Sequence, residues 1–464
     1  MIAYLDCHKM IDKDKLLGPL PKNSEIYKKA YQVAWPSALE SILVALISAV
    51  DTMMVGSLGT NAIAAVGICT QPKFVVMATL LGLNVGVNVV VARRKGEERQ
   101  DEANKTLRNA LVLSVILSFV FSTLGFIFAK PALLFAGASL EYLDLSIVYF
   151  RYIMIGTFFQ LMSLTMTAAQ RGAGKTKISM VCNLSANIVN VIMNAMLING
   201  LFFFPRLEVA GAAIATMIGN IVAFVLALVT LLRNKGYLHI SFKDDWKLDK
   251  DTLSAIFKIS IPSLVEQIFL RIGFFTYSKA VANLGTIDYA THLICMNVMT
   301  ISFGLGDGLS VASSTLVGQS LGAKRSDMAI IYGKVLQRIG FVMSVLLGIC
   351  IALFNTEIMN LFSKDPLVIE KGEIILLMLA LVIQFQVNQV ITMGCLRGAG
   401  DAKFVALISL ITITLIRPIG TYVLAYGVGL GLVGAWLSIY LDQMTRLFTS
   451  KIRFNQAKWT KIEI

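Results

Sequence analysis

Charge is scarce in this chain of 464 residues. Only 15% of its residues are charged, 56% are hydrophobic, and the mean hydropathy is +0.73. A soluble protein of this size carries about 25% charged residues, so a water-soluble globule is excluded. Histidine is scarcer still: the three present, His8, His239 and His292, form no cluster. The six cysteines (Cys7, Cys69, Cys182, Cys295, Cys350, Cys395) show no CxxC or Cys/His spacing. They read as small buried apolar residues and not as metal ligands. No GxSxG and no His/Asp/Glu cluster could serve an intramembrane enzyme, and no GxxxxGK[ST] loop would let ATP drive the chemistry directly. Residues 1–27 are polar and lack a signal peptide's apolar core, so the first apolar segment is expected to act as its own insertion signal.

Apolar length is plentiful. Runs of about 20 residues or more recur along the whole chain, enough to cross about 30 Å of hydrocarbon as helices. Barrel strands would alternate over about ten residues, and these runs do not. The sequence predicts an all-α polytopic membrane protein with twelve spans, at about 29–54, 62–92, 108–129, 144–170, 178–204, 209–232, 253–282, 288–317, 333–354, 372–396, 402–428 and 430–448.

The net charge of +13 has a topological explanation and calls for no nucleic-acid partner. Lys and Arg concentrate in the N-terminal tail (Lys9 to Lys29), in the loop after span 2 (Arg93 to Arg108) and after span 6 (Arg233 to Lys250). They recur after spans 4, 8 and 10 and in the C-terminal tail. The alternate loops hold only Lys130, Arg206, Lys364 and Lys371. Excess basic residues mark the cytoplasmic side, so both termini are expected there, in a multi-pass protein of the cell membrane.

The pattern Pro-Ser-x-x-Glu occurs twice, at Pro36 to Glu40 and Pro262 to Glu266, an offset of 266 − 40 = 226. Leu58-Gly59-Thr60 and Leu284-Gly285-Thr286 keep that offset, as do Arg171-Gly172-Ala173-Gly174 and Arg397-Gly398-Ala399-Gly400. Toward the end of each half it falls to 223. A duplicated six-span unit follows. Six is even, so both copies insert with one orientation about a pseudo-twofold axis along the membrane normal. The expected division is a tail 1–27, an N-lobe 28–232, a cytoplasmic linker 233–252, a C-lobe 253–450 and a tail 451–464.

Three motifs carry a resemblance: Val50-Asp51-Thr52-Met53-Met54-Val55-Gly56, Leu316-Val317-Gly318-Gln319-Ser320-Leu321-Gly322-Ala323 and Leu396-Arg397-Gly398-Ala399-Gly400-Asp401. With the duplication, the chain over about 28–450 resembles the MATE family, the multidrug and toxic compound extrusion transporters. The resemblance implies two six-helix lobes and export of organic compounds in exchange for H⁺ or Na⁺. By the same resemblance, Glu266 falls on an acidic position of span 7 and Asn297 on an amide position of span 8. Gln386 stands where one branch carries an acid. Asp51 matches the span-1 acid, and Asn190 and Asn194 fall on span-5 positions where one branch has Asn and Asp.

The residues carry readings of their own. An acid inside a membrane span is costly, about 2.5 kcal/mol or more, and marks a functional position by default. Glu266, its repeat partner Glu40, and Asp51 qualify, and Asp307 in Gly304-Leu305-Gly306-Asp307-Gly308 is a further candidate. Glu266 could instead be a structural acid held by a neighbouring helix; Arg271, five residues on, shares its face poorly. Gln160 and Gln386 occupy matched positions and could bridge helices or supply neutral ligands. The Arg-Gly-Ala-Gly turns read as structural caps, with Gly left-handed and Arg complementing the helix dipole.

The function expected is a cation-coupled efflux antiporter, its lobes rocking to give alternating access. Its substrates would be small cationic or amphipathic organic molecules. It would need no cofactor beyond the coupling ion, act as a monomer in membrane lipid and perform no catalysis. The alternative is a lipid-linked precursor flippase of the wider superfamily.

Overall fold

Glycine sets the ends of the helices. Gly59 and Gly285 hold φ of 105° and 122° just ahead of two of them, while Gly174 and Gly400 hold 76° and 93° just after two others. These are left-handed or related conformations that a side chain would oppose. The computed structural model describes residues 6–11, 13–56, 58–201, 204–233, 236–241 and 243–464. Parts of the expected N-terminal tail (1–5 and 12) and linker (234–235 and 242) therefore lie outside the described residues.

The helices of the first half are α1 Asn23–Gly56, α2 Thr60–Gly96, α3 Gln100–Ile127, the short α4 Ala129–Phe135, α5 Leu143–Gly172, α6 Thr176–Asn199 and α7 Glu208–Leu232. Those of the second are α8 Lys250–Ala282, α9 Thr286–Gly322, α10 Ser326–Leu353, the short α11 Asn355–Phe362, α12 Pro366–Gly398, α13 Ala402–Gly427 and α14 Gly431–Asn455. The repeat is written into these boundaries. α2 and α9 begin 286 − 60 = 226 residues apart and are both 37 residues long, and α3 and α10 are both 28. α7 and α14 are offset by 431 − 208 = 223. Among the described residues, ten helices are long and apolar enough to cross a membrane. α1 and α14, of 34 and 25 residues, cover the first and last expected spans and run several residues beyond them. This is an all-α, multi-pass membrane protein.

The chain forms two compact units, and their boundaries differ from those expected of the lobes. One unit is Ile42–Leu264; the other joins Met1–Ser41 to Val265–Ile464. Each boundary falls inside a helix, α1 or α8, a few residues after its internal proline, Pro36 or Pro262. The physical reason is close helix packing at glycine. A Cβ on Gly82 of α2 would lie 2.9 Å from the Leu264 amide nitrogen, and one on Gly308 of α9 would lie 2.5 Å from that of Ala38. These are equivalent contacts, since 308 − 82 and 264 − 38 are both 226. The first half of α8 thus packs on α2 in the unit 42–264, and the first half of α1 packs on α9 in the other.

Two segments expected to be loops or tails are folded. α3 begins at Gln100, about eight residues earlier than its apolar run, and its polar first turns hold the linker. Lys105 pairs with Asp249 at 3.0 Å and Arg108 with Asp244 at 3.2 Å, and the Asn109 carboxamide oxygen accepts from the Asp249 amide at 2.8 Å. The N-terminal tail packs on α10. There Lys334 donates to the Met10 carbonyl at 2.6 Å and Asp327 accepts from the Leu17 amide at 3.3 Å, with Cys7 and Met10 buried.

Candidate functional site

In the unit 42–264 the site is built on α1 and α6. Asn190 and Asn194 lie one turn apart on α6, so both amides face the same way. The Asn194 amide donates to Asp51 Oδ1 in a short hydrogen bond and also to Asn190 Oδ1 at 3.4 Å. Asn190 in turn donates to Thr216 Oγ1 of α7 at 3.2 Å. Asn194 is fully buried, Asp51 half-buried. The structure therefore joins Asp51, Asn190 and Asn194 in one network. It adds Lys73 of α2, within electrostatic reach of Asp51. A lone lysine after Pro72 in an apolar span was the signal: such a cation requires an acid. Gln160, half-buried on α5, stands apart from this network, and its Oε1 has no hydrogen-bond partner among the described residues.

In the other unit Glu266 is 3% exposed on α8. Arg397, at the end of α12, meets its carboxylate as a fork, Nη2 to Oε1 at 2.8 Å and Nε to Oε2 at 3.4 Å, and Ser409 Oγ of α13 donates to Oε1 at 2.9 Å. Three helices are tied through one acid. Arg397 is thus no mere cap of its own helix: the glycine of the Arg-Gly-Ala-Gly turn closes α12, and the arginine serves a carboxylate 131 residues away. Asp307 of α9 is exposed and within electrostatic reach of both Arg397 and Glu266. One guanidinium therefore stands among two carboxylates.

The other predicted residues are placed apart from this fork. Asn297 is exposed on α9, with no hydrogen bond to Glu266 among the described residues. Gln386 is completely buried on α12, where its Oε1 accepts from Ser302 Oγ at 3.0 Å while its Nε2 has no described partner. It bridges α12 to α9 inside the unit. Glu40 is buried and belongs to the same unit as Glu266, so it and Asp51, on one helix, are divided between units.

A membrane-buried carboxylate with a few convergent polar partners, found in both units, can exchange a proton or hold a small cation. Comparison with known proteins bears on the whole chain. The family model described as MatE matches residues 36–196 and 262–423. A protein of Thermotoga maritima named "Probable multidrug resistance protein NorM" is 28% identical over 453 residues, covering 95% of each chain. An "Uncharacterized transporter YisQ" of Bacillus subtilis is 25% identical, covering 92% of this chain and 94% of its own. Among solved structures, one described as the outward-facing conformation of a multidrug resistance MATE family transporter of the MOP superfamily matches with a TM-score of 0.87 at 20% identity. It covers 93% of this chain and 97% of its own.

Proposed function

Because this chain belongs to the MatE family of transporters, we propose that it exports small organic, cationic or amphipathic molecules from the cell in exchange for protons. The observation that carries the coupling ion is the count of carboxylates. The network of Asp51 holds one acid, with amides at 190 and 194; at Glu266 the Gln386 position adds none, and the second acid, Asp307, shares the one Arg397 guanidinium, which leaves a single negative charge between the two acids. A proton is satisfied by one carboxylate. A bare cation needs negative charge as well as oxygen ligands, and at both acids that charge is already taken up by Lys73 or Arg397.

In this reading the lysine and the arginine are built-in competitors. Lys73 and Arg397 balance Asp51 and Glu266 while the acids are ionised. Protonation of an acid discharges the balance and frees the basic group. A cationic substrate competes for the same carboxylate, and that competition couples the two flows in an alternating-access cycle. The relatives' names support the substrate class. Both termini face the cytoplasm of the cell membrane, as the basic loops require.

The test is transport in reconstituted vesicles with pH and Na⁺ gradients imposed separately. A pH gradient alone should drive uptake or release of a cationic dye; strict dependence on Na⁺ at constant pH would refute proton coupling. Labelling of a single cysteine at Lys461 from the outside of intact cells would refute the topology.

A further inference from the structure

Away from Glu266, the unit that holds it contains a second set of charges with no part in the reading above. Arg417 of α13 is fully buried, as is Asp442 of α14, and Arg446 is 5% exposed. Arg417 donates to Asp442 Oδ2 through Nε at 3.0 Å and also through Nη2. Arg446, one turn on from Asp442, donates to it through Nε at 3.0 Å and Nη2 at 2.7 Å. Two guanidiniums against one carboxylate leave one positive charge uncompensated. No other charged group joins the cluster through an ion pair among the described residues. A net charge in so apolar a setting is costly unless it is paired.

The uncompensated side is also where hydrogen-bonding capacity is left over. Arg417 Nη1 is buried and has no partner among the described residues. Its guanidinium lies 4.9 Å from the ring centre of Phe274 and 5.7 Å from that of Tyr277. Tyr277 is in edge contact with His292, at 5.3 Å between ring centres, and His292 with Trp436 at 5.8 Å. The Tyr277 hydroxyl, His292 Nδ1 and Trp436 Nε1 are buried and equally without described partners, and all three residues are at most 2% exposed. Buried polar groups in folded proteins are nearly all satisfied, so four orphans on one chain of contacts mark a place where something else binds. Around it α13 abandons regular α-helical bonding, running as a π-helix over Thr412–Ile416 and again over Tyr422–Gly427. Such segments concentrate at functional sites.

We propose that this cluster is a binding site for a small monovalent anion of the chloride type, held by Arg417 Nη1, Trp436 Nε1 and the Tyr277 hydroxyl, with His292 at its edge. Arginine, indole and phenol each present an N–H or O–H, and none of the three offers a competing negative charge. The anion supplies the missing charge, leaving the cluster neutral, and ties α8, α9, α13 and α14 together as a resident counter-ion. A water molecule would satisfy the donors and leave the charge.

The experiment is thermal unfolding of the purified full chain, with chloride replaced by gluconate at constant ionic strength and then titrated back, and again with bromide. The unfolding temperature should rise saturably by several degrees with either halide, as expected for a ligand of the folded state. Bromide should give anomalous density beside Arg417. Arg417→Gln leaves the Asp442–Arg446 pair neutral and should abolish the halide response. Trp436→Phe, which removes one donor and keeps an aromatic ring, should raise the half-saturating halide concentration at least severalfold and covers the case in which Arg417→Gln does not fold. An unfolding temperature indifferent to chloride against gluconate, or a response unchanged in either variant, would overturn the site. So would density at Arg417 that carries no anomalous signal in bromide and refines as water.

Discussion

Replacing Glu266 with glutamine separates charge from packing at the fork on α8. Gln keeps an Oε1 that can still accept from Ser409 and from Arg397 Nη2, now held at 2.9 and 2.8 Å. Breaking a buried ion pair outright costs about 3–5 kcal/mol. Here an acceptor is retained, Arg397 is 21% exposed at its side chain, and Asp307 stands within reach. The loss in stability should therefore be smaller, about 1–2 kcal/mol. Adding Arg397→Gln removes the stranded cation and should recover most of that loss. Transport should behave otherwise. A gradient of two pH units supplies about 2.7 kcal/mol per proton, enough for about a hundredfold concentration of an exchanged substrate. In vesicles Glu266→Gln should show no accumulation beyond that reached without a gradient, and the double variant should be as inactive although stable. Thermal unfolding and dye transport on the same preparations decide the matter. If Glu266→Gln concentrates substrate as the wild type does, coupling does not run through α8, and Asp51 becomes the first place to look.

Asp51→Asn should weaken pH-driven efflux severalfold in the same vesicles and lower stability by no more than about 1–2 kcal/mol, since an amide can keep the contact with Asn194 while Lys73 loses its acid; wild-type efflux at matched expression would make Asp51 structural. Gly308→Val places a Cβ against the Ala38 backbone and should lower stability by about 1–3 kcal/mol or more, whereas Gly67→Ala, with nothing within 4 Å, should leave the unfolding temperature unchanged or raised. In the linker, the hydroxyl and then the amide of Thr252, followed by Lys105, hold the Asp249 carboxyl down at about 2. A group depressed in the folded state stabilises it above the ordinary carboxylate range, and that contribution is lost as pH falls through about 2. Hydrogen exchange over residues 237–252 should accordingly rise from below pH 4, and Asp249→Asn should show the raised exchange already at neutral pH.

Helix ends and the repeat were legible because they rest on local chemistry. Glycine at 59, 174, 285 and 400 is required by backbone conformation, and a duplicated sequence keeps such positions in step. Asp51, Asn190 and Asn194 could each be picked out by motif position, but not that hydrogen bonds join them. Other features were not legible. Arg397 follows a helix and precedes a glycine, so local capping explained it fully, and nothing in the sequence pointed to a carboxylate 131 residues earlier. The start of α3 looked like a loop because Gln100 to Arg108 is polar, yet that polarity is what grips the linker. That the compact units divide inside α1 and α8 escaped because close packing at Gly82 and Gly308 is decided by which helix comes near, and a lone glycine in an apolar run does not say.

The crossing of α1 and α8 between units has a consequence for biosynthesis. The unit 42–264 is one unbroken stretch, complete only when Leu264 has left the ribosome, well past the linker where the repeats divide. Its partner unit is discontinuous and must wait for residues 265–464 before Met1–Ser41 has its own surface to rest on. For as long as that synthesis lasts, the opening segment of the chain lacks the helices it packs on. Two half-proteins cut in the linker would each lack a piece that the other carries, so the fragments should be stable and active only when co-expressed.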